Sequence, residues 1–170
     1  METPTQRNCD TFYGNPRGQG GSVVSQKWYR ENISLVPAPW PMEMGDIKIT
    51  RIAFHKKAGP GLVAAFDEIK ATMTTKEIVA AGLDQFSGSF NYRPMRGGKA
   101  LSMHAYGCAI DFDAANNGLG DRTPKLANHP KVIKAFLKAG ALWGGDWDGD
   151  GDTLDERRCD GMHFQWARLG

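Results

Sequence analysis

Little in this chain points to a stapled, membrane-bound or nucleic-acid-binding protein. It has only three cysteines, Cys9, Cys108 and Cys159, far apart along the chain. That excludes a disulfide framework and a four-cysteine zinc site. No apolar run approaches the roughly 18 residues of a spanning helix, so no membrane insertion is expected. Neither sign of charge dominates. Lysine plus arginine number 21 and aspartate plus glutamate 19, leaving +2 and no nucleic-acid partner. The opening residues, METPTQRNCD, lack the basic-then-apolar order of a secretory signal, so no signal peptide is expected. What the chain does have is ordinary globular composition, 41% hydrophobic and 24% charged over 170 residues. A single domain and a monomer are expected, with enough core to fold without disulfides. Glycine is in excess, 21 residues, and there are five tryptophans. Both point to a loop-rich protein with its working residues on loops.

No internal repeat or long linker divides the chain. Residues 1–45 read as an irregular amino-terminal arm packed on a domain of residues 46–170. Glycines between Gly14 and Gly21 break its first part, and Pro37, Pro39 and Pro41 its last. Between them, Val23 to Val36 carries Trp28, Tyr29, Ile33 and Leu35 and reads as an extended segment lying across the domain. Ile47–Phe54 is β-branched and predicts a strand. After Pro60 the residues Leu62, Val63, Phe66, Ile69 and Met73 share one helical face. Thr74 and Glu77 spell a capping box, with Gly82 to close the short helix. Alternation predicts strands at Phe86–Arg93, at Cys108–Asp113 and in the final MHFQWARL, and Lys131–Ala139 predicts a helix ended by Gly140. Residues Asn116–Pro130 read as a polar loop. Strands and helices do not alternate strictly, so the fold class expected is α+β, with a small, mainly antiparallel sheet, flanking helices and long loops.

Two segments could hold a metal. One runs from Ser102 through His104 and Gly107 to Asp111; the other is Asp160 to His163. A catalytic zinc takes three protein ligands and leaves a fourth position to water. In the strand at 108–113, Cys108, Ile110 and Phe112 form the core face and turn Asp111 outward. In the last strand Met162, Phe164 and Trp166 form the apolar face and leave His163 and Gln165 opposite. A turn at Gly107 would fold His104 back toward Asp111. Each residue also has a plain reading, a structural or solvated histidine and a turn aspartate, and periodicity leaves both open. Cys108 faces the core as a buried thiol; Cys159 as a fourth ligand would close the site to water. His55 and His129 are expected at the surface, and Trp147 and Trp166 are candidates to line a groove.

Ser102, His104, Gly107, Ala109 and Asp111, followed by Asp160 and His163, form a pattern S-x-H-x-x-G-x-A-x-D then D-x-x-H. It resembles the zinc peptidases that include D-Ala-D-Ala carboxypeptidases and dipeptidases and the L-alanyl-D-glutamate endopeptidases of bacteriophage endolysins. Tyr92-Arg93-Pro94, the WGGDW segment from Trp143 to Trp147, His163-Phe164-Gln165, FYGNPRG and PWPM are similar to the endopeptidase branch. The resemblance implies a zinc-peptidase fold and zinc held by His104, Asp111 and His163. Asp160 then matches the acidic general base and Arg93 the arginine that binds substrate oxygen near the scissile bond, with Ser102 and Tyr106 in supporting places. The carboxypeptidase branch has glutamate where this chain has Asp160, which favours the endopeptidase.

The function implied is metal-assisted hydrolysis of an amide bond in the peptidoglycan stem peptide, with D-Ala-D-Ala carboxypeptidase as the alternative within the enzyme class. A phage lysin would be made in the host cytoplasm and reach the periplasm and cell wall later. A non-catalytic metal-bearing wall-binding module is the alternative of another class, against which Asp160 beside an open ligand set speaks. Asp148, Asp150 and Asp152 also resemble the first positions of a calcium loop. Thr153 and Cys159 stand where an EF-hand needs glycine and glutamate, so the expectation is a calcium site of another kind, with a solvated acidic turn as its rival.

Overall fold

Three prolines and one capping serine decide how the amino-terminal third folds. The structure is a computed structural model that describes residues 2–170. Helix α1 (Cys9–Phe12) is a single turn, and α2 (Gln26–Asn32) is capped by the Ser25 hydroxyl, which accepts from the Trp28 N–H. The segment expected to be extended therefore begins as a helix. Strand β1 (Ile33–Met44) follows and pairs antiparallel with β2 (Ile47–His55). The stretch with three prolines is thus a strand, not an irregular end. Residues two apart turn their N–H positions to the same side, and one side of a two-stranded sheet has no partner to lose. The ladder slips between Pro37 and Met42, where the prolines crowd.

The next elements follow their patterns. Helix α3 (Gly59–Thr72) buries Leu62, Phe66 and Ile69, whereas Val63, expected on the same face, is exposed. Helix α4 (Thr75–Ala80) is opened by both bonds of the Thr74–Glu77 capping box, and Gly82 takes a left-handed φ of 79° just beyond it. Strand β3 is only Phe86–Gly88, shorter than the alternation through Arg93 predicts. Gly88 has a φ of 146° that side chains rarely adopt, and there the chain leaves the sheet. Strand β4 (Ala109–Phe112), helix α5 (Pro130–Lys138), β5 (Leu142–Trp143) and β6 (His163–Gln165) complete the chain. The polar loop before α5 contains a 3-10 turn at Lys125–Asn128 that buries Leu126.

The second sheet has the order β3-β4-β6-β5 with every neighbour antiparallel. The class is α+β, with two small antiparallel sheets in place of the one expected. Helix α5 covers one face of the larger sheet, and α3 packs against α5. The Phe136 ring stacks on Phe164 at 4.0 Å, and Phe66 meets Phe136 edge-on at 6.4 Å. Ile110, Phe112, Phe164 and Trp166 are all fully buried on this side. Each such side chain contributes roughly 1.5–3 kcal/mol by burial. The three cysteines are free and buried.

His55 is not the surface residue expected. It is 1% exposed at the end of β2, and the Tyr13 carbonyl accepts from both its Nε2–H (2.9 Å) and the Trp28 indole N–H (3.0 Å). Its Nδ1 accepts from the Lys57 N–H, so the neutral ring is fully satisfied. Burial pushes its pKa down to about 4, against the Tyr13 bond and helped by the charges of Lys57 and Lys56. Above pH 6.5 both folded and unfolded chains leave this ring neutral, and its stabilisation is complete. As pH falls from 6.5 toward 4 the unfolded chain takes a proton that the folded one refuses, removing about 3 kcal/mol. Denaturant titrations across that range are expected to show His55→Gln losing about that much less stability than wild type; equal losses would exonerate the ring.

Candidate metal centre

The face of the larger sheet opposite α5 carries the chemistry. In the β4–β6 ladder Asp111 lies directly across from His163, one step beyond the apolar pair Ile110 and Phe164. Antiparallel pairing thus sets the two side chains together on one face. His104 comes from a 3-10 turn, Met103–Tyr106, started by the Ser102 hydroxyl accepting from the His104 N–H. Gly107 ends the turn with a φ of 68°, and a Cβ there would meet the Ile33 Cδ1 at 2.6 Å. The left-handed angle favours glycine, and a Cβ would also crowd the His55 backbone nitrogen at 3.1 Å. The fold-back at Gly107 brings the three predicted ligands together.

Their atoms converge closely. His104 Nε2 lies 3.2 Å from Asp111 Oδ2, His163 Nδ1 lies 2.9 Å from Asp111 Oδ1, and the two nitrogens are 3.2 Å apart. The outer bonds decide where the ring protons sit. His104 Nδ1 faces the Ser89 carbonyl at 2.7 Å and must donate to it. The Gln165 amide N–H donates to the Ala167 carbonyl, which turns Gln165 Oε1 toward His163 Nε2 at 3.0 Å. His163 Nε2 therefore carries a proton too. Two imidazole lone pairs and two carboxylate oxygens are left facing one another, an arrangement that calls for a cation. Burial lowers the proton affinity of His163, but the Asp111 carboxylate outweighs burial and raises the pKa. Burial also works against the Asp111 charge, and bonds from His104 and His163 hold its carboxyl well below the usual range. Donors of this type and spacing fit a metal such as zinc.

Asp160 sits beside this set, outside it. Its N–H donates to the Gly144 carbonyl and its own carbonyl accepts from the His163 N–H, a turn that separates Asp160 from His163 by one hydrogen bond. Gly144 makes this possible, because a Cβ there would meet the Asp160 carbonyl at 2.5 Å. Asp160 Oδ1 is buried and has no hydrogen-bond partner among the described residues. Burial raises its pKa, as does Asp111, while the histidines and Arg96 pull it down. A cleft of about 560 Å³ opens over the set and is lined by Arg93, Arg96, Trp147, Arg157, Arg158 and Asp160. Arg93 is half-buried and bonds only the Pro94 carbonyl at 3.3 Å; among the described residues no carboxylate pairs with it.

Other expectations fare differently. Trp147 lines the cleft, but Trp166 is buried in the core. The Tyr106 hydroxyl points to the amino-terminal arm, donating to Asp10 at 2.6 Å. Asp113 shares its parity with Asp111, yet a left-handed φ of 49° turns it to Asn116 and Lys125. The calcium expectation gains no support. Asp148 and Asp150 group with Asp146, not with Asp152, which accepts from the Leu154 N–H. Asp146 accepts from the N–H groups of Gly149, Asp150 and Gly151, and Asp148 and Asp150 each accept two residues on. The segment is a run of Asx turns whose carboxylates are engaged by backbone. Sequence reasoning assigned no role to Gln165, although its place two residues after His163 on one strand face was the available signal. The Ser89 carbonyl left none.

A family model described as D-alanyl-D-alanine carboxypeptidase matches residues 96–166. The match supports a peptidase of that family. It spans His104, Asp111, Asp160 and His163, covers less than half of the chain, and begins three residues after Arg93. No curated protein and no solved structure matches. Gly107→Ala is expected to cost at least about 1–2 kcal/mol from backbone strain alone, read by denaturant unfolding; an unchanged midpoint would show the turn relaxes freely.

Proposed function

We propose that this chain is a zinc-dependent peptidase that hydrolyses an amide bond in the peptidoglycan stem peptide. One observation carries the reading: two imidazole lone pairs and the Asp111 carboxylate converge beside the unpartnered, buried oxygen of Asp160, on the floor of an open cleft. His104 Nε2, Asp111 and His163 Nδ1 would hold the ion. Zinc bound there would supply a water acidic enough to react at neutral pH and would polarise the substrate carbonyl. Asp160 is placed to accept a proton from the attacking water through Oδ1, which has no partner among the described residues. Arg93, free of any carboxylate, offers its guanidinium to the negative charge that builds on the carbonyl oxygen. Asp160 then passes its proton to the leaving amine.

Among stem-peptide bonds, the L-alanyl-D-glutamate bond is preferred. Aspartate as the base and the segments Tyr92-Arg93-Pro94 and Trp143–Trp147 are similar to the endolysin-type endopeptidases. A D-Ala-D-Ala carboxypeptidase is the second reading, favoured by the description of the matching family and by Arg96, Arg157 and Arg158 at the cleft, where a terminal carboxylate could be held. Mass spectrometry of digested purified peptidoglycan separates them: new amino-terminal D-glutamate supports the endopeptidase, released D-alanine the carboxypeptidase, and undigested material from zinc-loaded protein contradicts both. Asp160→Ala is expected to keep zinc and lose roughly 10²–10⁴-fold in turnover, whereas His163→Ala loses metal and activity together. An Asp160→Ala enzyme at wild-type rate would remove Asp160 as the base.

A further inference from the structure

We infer that Gln165 is a positioning residue that fixes which nitrogen of His163 is presented to the metal. The inference rests on the proposed zinc reading and adds a residue to it. Gln165 is 1% exposed and lies two residues past His163 on β6, so both side chains project from the same face. An amide can turn either end toward an imidazole, and a free histidine can carry its proton on either nitrogen. Here neither choice is open. The Ala167 carbonyl, 2.6 Å from Gln165 Nε2, accepts only, so the amide nitrogen must face it and Oε1 must face His163. Oε1 in turn only accepts, so His163 Nε2, 3.0 Å away, must donate. The lone pair that remains is on Nδ1, which points to Asp111 and His104. One backbone carbonyl thus sets, through one amide, the tautomer of a buried ligand. The Ser89 carbonyl does the same for His104, but by backbone alone. Gln165 is the part of this device that a side chain supplies and that substitution can reach.

The test measures zinc affinity of the full chain by competition with a chromogenic chelator. Gln165→Met keeps the volume but removes the acceptor; Gln165→Glu keeps an oxygen acceptor toward His163 and gives up the N–H that donates to Ala167. Gln165→Met is expected to bind zinc about 10–100-fold more weakly than wild type, and Gln165→Glu within about threefold of it. Equal affinity of wild type and Gln165→Met would overturn the inference, as would Gln165→Glu binding as weakly as Gln165→Met, since the bond to Ala167 alone would then account for the loss. If the methionine variant fails to fold, ¹⁵N imidazole spectra of zinc-loaded wild type decide. A protected proton on His163 Nε2 with Nδ1 on the metal supports the role, and the reverse assignment overturns it. Wild-type protein that binds no zinc would instead bring down the metal reading itself.

Discussion

The pairing of Asp111 with His163 across β4 and β6 is the constraint on which the site depends. Directly opposed residues of an antiparallel ladder share a face and stay within contact whatever the surrounding loops do. Slipping that register by one residue would send Asp111 into the aromatic core and bring Ile110 to the cleft. The core guards against such a slip, because Phe164 is stacked on Phe136 and Ile110 is fully buried. Packing on one side of the sheet therefore fixes chemistry on the other. His104 is added to this pair by a single turn that Gly107 closes.

Electrostatically the site gathers acceptors. Its outer hydrogen bonds place ring protons on the far nitrogens and leave only acceptors facing inward. In water such groups would separate; here the sheet, the turn and two backbone carbonyls hold them. Asp160, drawn in by the contact at Gly144, adds another oxygen without a partner. The arrangement makes sense when a cation and a water complete it.

Much of this could be read from the residues. Period-two alternation located β4 and β6 and turned Asp111 and His163 the same way, while Gly107 marked the fold-back that returns His104. The capping box at Thr74 and the apolar stripe of α3 appear as expected. The failures have physical causes. Prolines that break most strands are tolerated in a two-stranded hairpin, so β1 was hidden. Trp28 looked like part of an extended arm because its helix is only two turns long and depends on the Ser25 cap. His55 is buried by contacts with Tyr13 and Trp28, more than twenty residues away in sequence, which no local pattern encodes. The alternating aspartates accept from N–H groups of their own loop, and the three that draw together are Asp146, Asp148 and Asp150 in place of the expected Asp148, Asp150 and Asp152. Gln165 was visible as a neighbour of His163, but its role depends on a carbonyl two residues further on.

X-ray absorption at the zinc edge of the metal-loaded chain reads the donor set most directly. The geometry predicts two imidazole nitrogens at about 2.0–2.1 Å with oxygen completing the shell. A sulfur shell near about 2.3 Å would place a cysteine such as Cys159 on the metal and contradict a centre built from His104, Asp111 and His163.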